Sequence, residues 1–339
     1  MLQTVRQPDF NREYLLGAHN AVCNCLRIQP HEHVTLITDH ATLDIGTCLY
    51  DQLKLAGSRI TSFVLEDMTS RPMQALPGAV AAAMAQSDVG IMCVKPQMGE
   101  AKVRGDLIKV VEENGVRYAH MIGITGDIML QSMRADFDKV YALGDRVLAI
   151  ARPAKKSYIT SALGTDLTVT LSPGLRWQNT GGKITAQVWS NLPAGEIFTC
   201  PQSVDGVMVV DGTIGDYLCW KYGCLEKTPL RLEIAGGYLQ SVQCLNKELE
   251  QEFLEYCRSA PNSDRVGEFA LGTNTWVTRC IGNLLQDEKM PGMHIAFGNP
   301  APGQTGADWT CPTHIDLITM KPDVWFDGQQ VMAEGKFLV

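Results

Sequence analysis

His33-Val34-Thr35-Leu36-Ile37-Thr38-Asp39 is a short run of β-branched and apolar residues closed by an acid. It is too short for an ordinary helix, and branching at Cβ suits a pleated backbone, so it reads as a buried strand. The flanking sequence turns that strand into a fold. Asn11 to Leu26 carries Tyr14, Leu15, Ala18, Val22 and Leu26 near helical spacing. Ala41 to Leu55 is helical and stops at Gly57, a residue free to adopt the left-handed conformation that ends helices. Then come strand Ile60 to Leu65, helix Pro72 to Gln86, strand Val89 to Val94, helix Ala101 to Asn114 closed by Gly115, and strand Tyr118 to Ile124. Strands alternating with helices of this length imply βαβ units and a mostly parallel sheet.

Such sheets place ligands at the carboxyl ends of their strands. Asp39, His40 and Lys95 fall there and are candidates to line a cleft, with loop polarity as the plainer account. No GxGxxG follows the first strand and no GxxxxGK[ST] occurs, so a nucleotide role has little support. His31 and His33 lack an acidic or cysteine partner on their own face and read as exposed residues at the start of the strand.

The pattern changes after about Ala151, where we place a boundary between an α/β domain (1–150) and an α+β domain (151–339). Ser157 to Ser161, Leu167 to Leu171, Val204 to Gly212 and Leu230 to Gly237 are β-rich runs punctuated by glycine, and Asn179 to Gly182 is a turn. One helix stands out, Asn246 to Ser259. This is the layout of an antiparallel-rich α+β domain.

With 45% hydrophobic and 19% charged residues over 339, the chain can bury a core of ordinary globular size. Its net charge of -8 argues against nucleic acid as a partner. No apolar run reaches about 18 residues, so no membrane-spanning segment is expected. Met1 to Gln7 lacks the apolar core of a signal peptide. The eleven cysteines are scattered, and most read as buried reduced thiols, which favours a cytoplasmic location.

Four segments of the second domain each set metal-capable side chains among apolar residues: Gly195-Glu196-Ile197-Phe198, Gly267-Glu268-Phe269-Ala270-Leu271-Gly272, Met293-His294-Ile295-Ala296-Phe297-Gly298 and His314-Ile315-Asp316. His314 and Asp316, two apart in a β-branched run, share one face of a strand. A carboxylate in such surroundings is costly to bury unless it is paired or holds a cation. Glu196, Glu268, His294, His314 and Asp316 together suit one or two divalent ions such as zinc, manganese or iron. Trp276, Trp309, Phe297 and Trp325 either wall a pocket or serve as core.

Those segments, with Asn191-Leu192-Pro193-Ala194 ahead of the first, Asp287-Glu288-Lys289 before His294, and Gly164-Thr165-Asp166-Leu167-Thr168 at the start of the domain, resemble the aminopeptidase T family of metallo-aminopeptidases, the thermophilic metalloproteases. The resemblance implies a homodimer acting on a peptide or small amide, with zinc, manganese or cobalt held by Glu196, Glu268, His294, His314 and Asp316 and with Glu268 bridging two ions. Glu196 is the first candidate for a general base. The family's tyrosine seven residues after the first histidine is replaced by Ala301. The 2,5-dihydroxypyridine 5,6-dioxygenases look similar in domain plan. One of that family's two iron-binding histidines stands where this chain has Glu268, but His294, His314 and Asp316 have the composition of a two-histidine, one-carboxylate site, which gives an alternative of ferrous iron and ring cleavage of a hydroxylated N-heteroaromatic. In a third reading the site only binds a ligand.

Overall fold

The computed structural model describes residues 10–339, so Met1 to Gln7 lie outside the described residues. The chain forms two compact units, Met1–Asp138 with Gly182–Ala194, and Lys139–Gly181 with Gly195–Val339.

In the first unit the sheet is parallel throughout, in the order Arg59–Val64, His33–Thr38, Val89–Val94, Arg117–Ile122, Ser190–Asn191. Helices Leu43–Leu55 and Ala101–Asn114 match the reading from sequence, and Gly115 ends the second at φ 63°. The helix expected over Pro72 to Gln86 is confined to Gly78–Ala85. Pro72 and Pro77 explain the difference, since a proline pushes the residue before it out of the helical region. The N-terminal helix is three joined pieces, Arg12–Tyr14, Leu15–His19 and a wider π turn over Asn20–Cys25.

Asp39, at the carboxyl end of the first strand, is buried rather than lining a cleft. Its carboxylate accepts from the Lys95 and Thr42 amides at 2.7 and 2.9 Å and from Arg71 Nη1 at 2.5 Å. Arg71 in turn donates to both oxygens of Glu100, so one guanidinium ties the two buried carboxylates together. His31 is exposed, whereas His33 is half-buried and bonded to Thr61 Oγ1 at 2.8 Å. No helix of the described residues is long and apolar enough to cross a membrane.

The second unit holds two antiparallel sheets. One has eight strands, in the order Tyr238–Gln243, Leu230–Ala235, Ser203–Val210, Asp166–Thr170, Lys156–Thr160, Asp323–Phe326, Gln329–Ala333, Lys336–Phe337. The other runs His314–Met320, Gly292–Gly298, Val266–Gly272, Glu196–Thr199, Gln178–Asn179. Helix Phe137–Ala151, unread in the sequence, ends where the composition shifts. Helix Lys247–Cys257 is capped by the Asn246 side chain, which accepts from Glu248 N and Leu249 N.

The second sheet has apolar residues on both faces of its strands, but the two faces differ in use. Ile197, Phe269, Leu271, Met293, Ile295, Phe297, Ile315 and Leu317, all odd-numbered, belong to one hydrophobic core. Phe297 is therefore core and not pocket wall. The even-numbered positions carry the site. Cys224 and Cys280 form a disulfide, which the scattered spacing gave no reason to expect; of the nine free cysteines, only Cys23 is exposed.

Candidate metal centre

Strand pairing brings the five sequence-predicted residues to one face. Glu268 lies opposite Ala296, and Ala296 lies opposite Asp316. His294 lies opposite Ala270, Glu196 opposite Gly272, and His314 opposite Gly298. Each ligand-type side chain thus neighbours an alanine or glycine on the next strand, which leaves room above the sheet. Two glycines are also needed for the sheet itself. A Cβ on Gly267 would lie 2.1 Å from the Gly298 carbonyl oxygen, and one on Gly298, at φ +101°, would lie 2.2 Å from that of Thr313.

The side chains converge in two groups. Glu196, Glu268 and His294 offer ligand atoms all within 4.8 Å of one another, and so do Glu268, His314 and Asp316. Glu268 is common to both. His294 Nε2 is 3.4 Å from Glu196 Oε2 and 3.4 Å from Glu268 Oε1. His314 Nε2 is 3.3 Å from Asp316 Oδ1 and 4.0 Å from Glu268 Oε2. Asp316, Glu196, Glu268 and His294 are buried, while the His314 side chain is 37% exposed. A further group, Cys224, Cys280 and Asp287, has its two sulfurs bonded to each other.

Surrounding bonds fix how these ligands point. His314 Nδ1 donates to the Asn299 carbonyl at 3.0 Å, so Nε2 is the nitrogen turned to the carboxylates. Glu196 Oε1 accepts from Lys289 Nζ at 2.7 Å and from Thr180 Oγ1 at 3.1 Å, leaving Oε2 beside His294. Lys289 Nζ also meets Glu288 Oε1 at 2.6 Å. Thr180, Glu288 and Lys289 were not read as site residues from the sequence. Asp287-Glu288-Lys289 entered only as a motif of the resemblance, with no role for its side chains, and Lys289 proves to be 1% exposed.

The electrostatics express an excess of buried negative charge. Burial works to lower His294, but the Glu196 and Glu268 carboxylates outweigh it and hold the imidazole up at about 10. Burial likewise opposes charge on His314, yet Asp316 and Glu268 raise it well above the ordinary histidine value. Burial opposes the Glu196 carboxylate, and Lys289 and His294 nonetheless hold it well below the usual range. Glu288 goes the other way. Burial, only partly offset by Lys289, pushes it up to about 8.

A divalent ion fits this set. His294 Nε2 is buried and has no hydrogen-bond partner, although two carboxylate oxygens face it. Nitrogen and oxygen donors without thiolate suit zinc, manganese, cobalt or iron. Ala301, where the resemblance implies a tyrosine, adopts φ 48° and starts the short helix Pro302–Thr305 without offering a ligand atom.

The class these features define is a two-unit α/β and antiparallel protein with a buried carboxylate–histidine cluster of metal-ligand composition. The family model for thermophilic metalloprotease (M29) matches residues 147–310 and bears out the resemblance read from the motifs. The match spans Glu196, Glu268 and His294 and ends before His314. It supports a metallopeptidase, and with it a divalent metal. Among solved structures, wild-type AmpT from Thermus thermophilus is 16% identical with a TM-score of 0.71, covering 98% of this chain and 100% of that one. The 2,5-dihydroxypyridine dioxygenase from Pseudomonas putida KT2440 is 16% identical with a TM-score of 0.69, covering 96% and 97%. Both likenesses are to the fold. No curated protein sequence matches the chain.

Proposed function

We propose that the protein is a metal-dependent hydrolase of the aminopeptidase T type, cleaving a peptide or small amide bond with one or two divalent ions held by Glu196, Glu268, His294, His314 and Asp316. The observation that carries this reading is the buried, unbonded His294 Nε2 facing oxygens of Glu196 and Glu268, with Glu268 common to the second group. A bound ion would supply a polarised carbonyl and a water acidic enough to attack near neutral pH. The chain's own residues do the arranging. Glu268 joins the two groups. Lys289 and Thr180 turn Glu196 toward His294, and the Asn299 carbonyl sets the His314 tautomer. Glu196 Oε1 is held by Lys289 and Thr180 and Oε2 faces His294, which supports a metal-holding role for Glu196. A homodimer is part of the same proposal, checked by light scattering in solution.

The dioxygenase fold neighbour supports a second reading, ferrous iron on His294, His314 and Asp316. Among the described residues these three do not form one compact group, and Glu268 belongs to both of the carboxylate–histidine groups. That favours hydrolysis. Metal analysis of protein purified without chelator, with assays on aminoacyl anilides and on hydroxypyridines, tests the choice. Zinc, manganese or cobalt with amide cleavage is expected. Iron with oxygen uptake would overturn the hydrolase reading, and unchanged metal content in both Glu268→Ala and His314→Ala would overturn the metal site itself.

A further inference from the structure

We infer that Glu288, positioned by Lys289, is the residue that takes and returns the proton during amide cleavage; the inference rests on the hydrolase reading above. Four carboxylates gather around His294 and Lys289, and three of them are committed. Glu196, Glu268 and Asp316 belong to the two ligand groups. Glu288 belongs to neither. Its Oε1 meets Lys289 Nζ at 2.6 Å. The Glu288 side chain retains 11% exposure, as the Glu196 and Glu268 side chains do.

The position of Glu288 is fixed from two sides. Lys289 Nζ bridges it to Glu196 Oε1 at 2.7 Å, which sets its carboxylate one ammonium away from the ligand cluster. The backbone is anchored as well. Asp287 accepts from the Ile281 and Asn283 amides, each at 3.0 Å, and from Thr213 Oγ1 at 2.5 Å, and the Lys289 carbonyl accepts from the Asn274 amide at 2.9 Å. A catalytic group needs this kind of support to hold its geometry.

The chemistry balances with one water. The water oxygen bonds to the scissile carbonyl carbon as one of its protons passes to Glu288 Oε2. The C–N bond then breaks, its electron pair stays on nitrogen, and nitrogen takes that proton from Glu288. The second water proton remains with the new carboxylic acid, and Glu288 ends as it began.

The test compares the wild-type protein with Glu288→Gln and Lys289→Met, each loaded with manganese or zinc and assayed on an aminoacyl anilide that the wild type cleaves. Metal affinity is measured separately by competition with a chromogenic chelator. Glu288→Gln is expected to bind metal within about threefold of wild type, keep KM within a few-fold, lose about 100-fold or more in kcat, and lose the acid limb of the rate profile. Lys289→Met is expected to move that limb to higher pH, because the ammonium no longer favours the carboxylate. Glu288→Asp, which keeps the carboxylate, should restore part of kcat. Wild-type kcat in Glu288→Gln, or loss of its metal, overturns the assignment while leaving the hydrolase reading intact. A wild-type protein that cleaves no amide with zinc, manganese or cobalt overturns the hydrolase reading and this assignment with it.

Discussion

Glu268 is the residue on which the site turns, because it alone belongs to both ligand groups. Glu268→Gln keeps the shape and removes the charge, and it is expected to weaken every metal ion the protein takes. Thr180→Val strips only a bond that orients Glu196. Loss of such an outer partner typically costs about 10- to 100-fold in metal affinity, so Thr180→Val should fall at the low end and Glu268→Gln beyond it. Competition titrations on the two variants check the ranking, and an equal effect would remove Glu268 from its central place. The histidines add a pH signature. Metal ligands must shed their protons, and His294 is held up at about 10 by the carboxylates around it. Binding therefore releases at least one proton at neutral pH, and affinity should rise about tenfold per pH unit between pH 6 and 8 for each proton displaced. Stability without metal runs in the opposite sense. What His294 gains from its carboxylates is fully present below its unfolded value of about 6.5 and is lost as the pH rises toward 10. Calorimetry in two buffers of different ionisation enthalpy counts the protons, and a count of zero at pH 7 would contradict the arrangement.

Among the elements, the strands were the legible part. His314 and Asp316 were readable as one face because a strand alternates strictly, and Glu196, Glu268 and His294 because each interrupts an apolar run beside glycine. Alternation then separates core from site, odd positions from even. What the sequence could not reveal is where distant side chains come to rest. Lys289 reaches Glu196 across 93 positions of chain, and no local period encodes that meeting. Helix Phe137–Ala151 lies where the sequence pattern changes character, and between Pro72 and Gln86 the two prolines outweigh the apolar spacing and confine the helix to Gly78–Ala85. The glycines of the site sheet are held by close contacts that a substitution would break. Gly298→Ala places a methyl group 2.2 Å from the Thr313 carbonyl oxygen at φ +101°, immediately before His314. A loss of about 2–3 kcal/mol in urea unfolding is expected, with weakened metal binding. Gly303→Ala, with no neighbour within 4 Å, should stay within about 0.5 kcal/mol. Equal stabilities for the two would show that the close approach is not needed.

For the whole molecule, the parallel unit was readable from its rhythm of strand and helix, whereas the two antiparallel sheets were readable only as a supply of strands. Lys156–Thr160 pairs with Asp323–Phe326, far along the chain, and hydrophobic pattern names no partner. The site sheet is likewise assembled from segments spread between Gln178 and Met320. That assembly has a thermodynamic consequence. A cation that binds only the folded arrangement stabilises by RT ln(1 + [L]/Kd), about 2.7 kcal/mol at a hundredfold excess over Kd. For a unit of this size that is roughly 5–10 °C in Tm. The stabilisation belongs to the unit that supplies the ligands, since every one of the five lies in Gly195–Val339. Hydrogen exchange should therefore slow on Glu196–Thr199, Val266–Gly272, Gly292–Gly298 and His314–Met320 when zinc or manganese is added, and stay unchanged on His33–Thr38 and Val89–Val94. Glu268→Gln should abolish the slowing. Slower exchange across the parallel strands alone, or none anywhere at saturating metal, would mean that the buried cluster is held together without an ion.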